Sequence, residues 1–180
     1  MIVITGLPGA GKTTVLNLLK EKGYFVVNFG DLMYEMALKD KLVSNRDEMR
    51  KKLSARQTRE LQIKVARKLS KLKPAILDTH ATVRTPEGYF PGLPLHVLRL
   101  LKVKAFVLIT AKPEEILLRR KEDPTRKRDD DTLEDIEEQD TINKAFIASY
   151  SAYKGVPAML VRNEQGKQAK AAEVIERLLK

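Results

Sequence analysis

Eight residues near the start of the chain, Gly6-Leu7-Pro8-Gly9-Ala10-Gly11-Lys12-Thr13, constrain the fold more than any other stretch. They fit G-x-x-x-x-G-K-[ST], lying between an apolar run, Met1 to Thr5, and an amphipathic segment. That context predicts a strand, a tight glycine-rich turn and a helix, with backbone N–H groups converging on phosphate oxygens where no Cβ intervenes. Lys12 is expected to reach the β and γ phosphates, and the Thr13 hydroxyl to reach Mg²⁺. The helix starts there, so its positive end also faces the phosphates.

The rest of the chain continues the same theme. Five apolar, β-rich runs, Ile2 to Thr5, Phe25 to Asn28, Ala75 to Asp78, Ala105 to Thr110 and Met159 to Arg162, alternate with helical patterns. Leu61, Val65, Leu69 and Leu72 form one face of a helix that Ser54 is placed to cap; Ala171, Val174, Ile175, Leu178 and Leu179 form one face of the last helix. Alternation of this kind predicts a doubly covered, five-stranded parallel α/β sheet. Ligands then collect beyond the carboxyl ends of its strands. At 180 residues, a single domain spanning 1–180 is expected.

Composition narrows the chemistry. The chain has no cysteine and two histidines, which excludes thiolate zinc sites and histidine-rich clusters and leaves Mg²⁺ on oxygen ligands. Thirty-four Lys and Arg against 24 Asp and Glu give +10, a balance that favours polyanionic partners: nucleotides first, nucleic acid or an anionic surface as alternatives. The apolar start lacks a basic leader, and no apolar stretch approaches the roughly 20 residues of a membrane span, so a cytoplasmic location is expected.

Asp78 ends the third apolar run, where a carboxylate commonly holds Mg²⁺. His80 and Arg84 follow in "DTHATVRTPEGYFPGLP", a stretch whose three prolines and two glycines read as a stiff loop suited to a pocket wall. After the second run, "NFGDLMYEMA" puts Gly30 at a turn and Asp31 in position to cap a helix, and Arg46 and Arg50 lie in the region beyond. In residues 119–131, "RRKEDPTRKRDDD", Arg119 and Arg120 end a helix and Arg126 and Arg128 follow, a spacing able to clamp phosphates bidentately. Asn163 and Gly166 in "VRNEQG" fall in the last loop on the ligand side, where backbone groups can hold a base.

In that order, "GLPGAGKTT", "VVNFGDLMYEMA", "NRDEMRKKL", "LDTHATVRTPEGYFPGLP", "RRKEDPTRKRD" and "VRNEQG" resemble the archaeal-type adenylate kinases over nearly the whole chain. The resemblance implies reversible transfer from Mg·ATP to AMP, giving two ADP. It implies that ATP lies on Gly6, Leu7, Pro8, Gly9, Ala10, Gly11, Lys12, Thr13, Thr14 and Asn163, with Mg²⁺ held by Thr13 and Asp78. AMP would lie on Phe29, Gly30, Asp31, Arg46, His80 and Arg84, in a segment covering about 30–60 and the loop after the third strand. A lid at about 119–131 would bring Arg120, Arg126 and Arg128 to the transferring phosphate beside Lys12, and the assembly would be a homotrimer. "DTHATVR" stands where bacterial-type relatives have "DGFPR".

The residues read without the resemblance leave open a kinase of another nucleoside monophosphate, such as CMP or UMP, and two rivals of other kinds. One is a kinase of similar fold acting on a small-molecule hydroxyl, with Asp78 as base; the other is an RNA-associated ATPase using lysine-rich helices such as "KVARKLSKLK" as its binding surface. A monophosphate acceptor needs no base, since its second pKa of about 6 leaves it largely an oxyanion at neutral pH. An arginine-rich site without an evident catalytic His or Cys fits that chemistry.

Overall fold

The computed structural model describes residues 1–122 and 131–180. The five expected strands are present: β1 (Ile2–Gly6), β2 (Val26–Asn28), β3 (Ile76–Asp78), β6 (Ala105–Thr110) and β7 (Ala158–Arg162). They form one parallel sheet in the order β2-β3-β1-β6-β7. From β1 the chain crosses to the β2 edge, and from β3 it crosses back over β1 to β6. The crevice between β1 and β3 is therefore the switch point where α/β sheets bind ligands.

Alternate residues of each strand feed opposite faces. Ile2, Ile4, Ile76, Val107 and Ile109 pack on one side with Val15, Leu16 and Leu19 of α1 (Lys12–Glu21) and Ala171, Ala172 and Ile175 of α8 (Gln168–Leu179). Val3, Leu77, Phe106 and Leu108 pack on the other side against three helices. Those are α4 (Ala55–Leu72), α5 (Leu95–Leu98) and α7 (Leu133–Lys154), through Val65 and Leu69, Val97 and Leu98, and Ile147 and Tyr150. β1 and β6 are buried along their entire lengths, which is why their sequences are apolar runs without alternation. A third, smaller cluster of Ala37, Val43 and Leu61 supports α2 (Phe29–Lys39) and α3 (Glu48–Lys51) outside the sheet.

Three local expectations are refined. Ser54 caps α4 in a full capping box with Gln57, an arrangement of a kind that contributes about 1 kcal/mol, but Leu72 at the far end of that helix is 40% exposed and leaves the apolar face. The cap of α2 is Asn28, not Asp31: the Asn28 Oδ1 accepts the Asp31 N–H at 2.9 Å, because β2 gives way to α2 with no connecting residue. The third difference is that "TVRTPEGYFP" is not a loop. It is an antiparallel hairpin, β4 (Thr82–Thr85) and β5 (Gly88–Pro91), turning through Pro86 and Glu87.

The hairpin lies along α7. Arg84 pairs with Asp135 at 3.0 Å, the Tyr89 hydroxyl donates to Glu138 at 2.8 Å, and the Thr82 hydroxyl to Asn143 at 2.7 Å. The Asp135 carboxyl is held down to about 2, first by the hydroxyl and amide of Thr132 and then by Arg84. At the hairpin's neck the Gly92 N–H reaches Ala81 O at 2.9 Å, and the Tyr150 hydroxyl donates to the same carbonyl at 2.8 Å. Burial pushes that phenol up to about 12, so it stays a donor at any physiological pH.

Candidate active site

The glycine-rich turn runs from the end of β1 into α1. Gly11 is the N-cap of α1 in left-handed backbone (φ 77°), and no side chain caps the helix, whereas α2, α4 and α7 are closed by Asn28, Ser54 and Thr132. The first-turn N–H groups of a helix have no partner within it, and together with the glycine turn this uncapped end is suited to an anion. Gly9 is also left-handed, at φ 90°.

Lys12 extends from the first turn of α1 to the carboxyl end of β3. Its Nζ donates to Asp78 Oδ1 and, at 3.0 Å, to Thr79 O. The other carboxylate oxygen of Asp78 accepts from Asn28 Nδ2 at 2.7 Å. The parallel register explains the meeting, since Ile4, Asp78 and Asn28 are aligned neighbours across β1, β3 and β2. Asn28 was not anticipated here, although an Asn before an apolar helix pattern is a capping signal that also fixes its side chain.

From Asn28 the polar chain continues outward. Asp31, in the first turn of α2, pairs with Arg46 Nη1 at 2.6 Å. The Arg46 guanidinium stands over the Tyr34 ring, 5.9 Å from its centroid. A Cβ at Gly30 would come within 3.3 Å of Arg46 Nη2, so Gly30 leaves room for that arginine. Phe29 is buried in the core, whereas Thr13 and Thr14 are exposed on α1. His80 is exposed at the hairpin neck, and Arg84 sits on β4 with its charge paired to α7.

The basic stretch divides. Arg119 and Arg120 lie at the end of α6 (Pro113–Lys121) against the phosphate loop. Arg126 and Arg128 lie outside the described residues. Asn163, after β7, is 1% exposed; its Nδ2 donates to Ala10 O at 2.9 Å, and its Oδ1 is a buried acceptor without a partner among the described residues. Among the described residues no cluster of three or more His, Cys, Asp or Glu could hold a metal ion, and no helix is long and apolar enough to cross a membrane.

A parallel sheet with a glycine-rich loop after its central strand, a lysine on that loop and an aspartate at the next strand end define a phosphate-loop nucleotide-binding protein. Residues 5–137 match the family model described as AAA domain, which belongs to this class. The chain is 48% identical to the adenylate kinase of Thermoplasma acidophilum over 98% of its own length and 97% of that protein. It is 42% identical to the adenylate kinase of Pyrococcus abyssi, over 98% and 93%. In fold it is similar to shikimate kinases: that of Acinetobacter baumannii in complex with shikimate (18% identity, TM-score 0.62, covering 99% of this chain and 91% of that one) and that of Aquifex aeolicus (19%, TM-score 0.58, covering 98% and 94%). The chain belongs to the adenylate kinase family, phosphotransferases with a phosphate group as acceptor.

Proposed function

We propose that the molecule transfers the γ-phosphoryl group of ATP to AMP, reversibly, giving two ADP. The observation that carries the reading is the continuous polar chain from Lys12 through Asp78 and Asn28 to the first turn of α2, Asp31 and Arg46. It joins the phosphate loop to the segment on which an acceptor nucleotide is expected. Similarity to adenylate kinases over nearly the full length supports both halves of that assignment.

In this reading the loop amides, the helix end and Lys12 hold the donor phosphates, and Lys12 exchanges Asp78 for the phosphates as they arrive. Arg46 and Arg84 neutralise the acceptor phosphate, with His80 and Gly30 lining its approach. No base is required, so catalysis consists of in-line positioning and charge neutralisation. The hard oxygens of Thr13 and Asp78 suit Mg²⁺, which is ordinarily held by one or two carboxylates together with substrate phosphates and needs no closed protein cage. When bound with ATP it would neutralise charge on the phosphates. Arg126 and Arg128 enter this reading through the resemblance alone, as residues of a lid.

An acceptor panel tests the assignment. AMP is expected to be phosphorylated far faster than water, a nucleoside or shikimate, and two adenosines joined by five phosphates to inhibit far more strongly than ADP, since one molecule fills both halves. AMP acting no better than shikimate, or ATP hydrolysis accelerated by RNA without AMP, would overturn it.

We also propose a homotrimer, on the strength of the resemblance, and a cytoplasmic location, on the sequence reading above. Light scattering at micromolar concentration is expected to give three times the chain mass; a monomer removes the proposal.

A further inference from the structure

Three consecutive carbonyls of the phosphate loop each accept a hydrogen bond from a side chain more than 100 residues away. Pro8 O accepts from Arg120 Nε at 2.9 Å, Gly9 O from Arg119 Nη1 at 3.3 Å, and Ala10 O from Asn163 Nδ2 at 2.9 Å. Arg119 Nη2 also donates to Asn163 O at 3.2 Å, which links two of the three ties to each other.

We infer that Arg119, Arg120 and Asn163 are positioning residues that hold the phosphate loop open from behind. The inference rests on the donor half of the reading above. In a trans peptide the C=O of one residue and the N–H of the next point in opposite directions. Tying the Pro8 and Ala10 carbonyls on one side therefore aims the Gly9 and Gly11 amides the other way. The peptide between them is fixed twice, by Arg119 on Gly9 O and by the Ala10 N–H, which closes the turn on Leu7 O at 3.0 Å.

Both guanidinia are engaged by the loop and by carboxylates, and their side chains are far less exposed than those of Arg46 and Arg84. Arg120 is 6% exposed, pairs with Asp131 at 2.7 Å and reaches Gln139 at 3.3 Å; Arg119 pairs with Glu115 at 3.1 Å. They supply geometry where the sequence pattern alone reads as charge for the phosphate. The brace also gives two loop glycines a second reason to be glycine. A Cβ on Gly9 would lie 3.2 Å from Arg120 Cγ and from Ile116 Cγ2, and one on Gly11 would lie 2.3 Å from Asn163 Nδ2.

Asn163 is the tie to test, because Asn163→Ala frees the Ala10 carbonyl and removes the unpartnered Oδ1 without breaking an ion pair. Asn163→Leu, close in shape, covers the case in which the alanine variant folds poorly. In the free protein, the Gly9 and Gly11 amide resonances are expected to shift and broaden, and the affinity for Mg·ATP to fall. In turnover, kcat should drop roughly 10- to 100-fold, as expected when a reacting group is misplaced by about 1 Å, with the same factor for ATP and GTP as donors and an unchanged KM for AMP. Unchanged amide resonances and ATP affinity in both variants would overturn the brace. A change in preference between ATP and GTP would overturn it too, making Asn163 a reader of the base. Neither the resonances nor ATP affinity depends on which acceptor is used, so an error in assigning AMP leaves this test intact.

Discussion

Lys12→Ala is expected to lower kcat by about 10²- to 10³-fold while leaving a folded protein, equivalent to roughly 3–4 kcal/mol of transition-state stabilisation for one well-placed charged donor. Among the described residues Lys12 is the one cation whose ammonium bridges the loop helix and the β3 end, through Asp78 and Thr79 O. In the proposed reaction the γ-P–O bond breaks and its electron pair stays on the bridging oxygen of the departing ADP, the charge Lys12 would neutralise, and no residue among the described ones duplicates its contact. The substitution leaves Asp78 with its bond from Asn28 Nδ2, so the strand end stays anchored. Circular dichroism and thermal melting establish that the variant is folded; steady-state kinetics measure the loss. A folded variant within 3-fold of the parent would remove the phosphate-loop assignment.

Gly92→Ala is expected to cost about 3 kcal/mol, at the upper end of what overpacking costs, and to lower Tm by about 6–12 °C. The methyl group would lie 1.9 Å from His80 O, 2.7 Å from His80 C and 3.1 Å from Ala81 O. All three are backbone atoms at the hairpin neck, so no side chain can swing aside. Relief requires the neck to widen, which breaks the Gly92 N–H bond to Ala81 O and disturbs the hydroxyl of Tyr150 beside it. Because His80 and Arg84 ride on this hairpin, the KM for AMP should rise in the same variant. A melting temperature within a degree of the parent would mean the neck is not built as described.

The parallel sheet was legible because its strands are buried on both faces and so appear as unbroken apolar runs. Lys12 and Asp78 were legible for a related reason: a motif fixes one, and a strand end fixes the other. The hairpin was not. Its strands are four residues each, mostly half-buried or exposed, and held to α7 by polar contacts across 49 to 61 positions, which no local periodicity records. Asn28 was overlooked as the cap because Asp31 is an equally good capping residue, and only the length of β2 decides between them. With its neighbours in sequence, Arg120 reads as part of a phosphate clamp, and its contact with the loop lies beyond that reading. Its acceptor at Pro8 lies 112 positions away, a distance at which composition says nothing.

The order in which the chain leaves the ribosome gives the central position of β1 a further meaning. β1 is made before both of its neighbours in the sheet, β3 and β6, and the last carbonyl tie on its loop comes from residue 163. β2, the strand that comes between β1 and β3 in the chain, does not pair with β1. At elongation rates of about 5–20 residues per second, the apolar β1 run waits several seconds for its first partner and longer for the brace. The motif most recognisable in the sequence thus gains its full set of native partners only after residue 163 has been made.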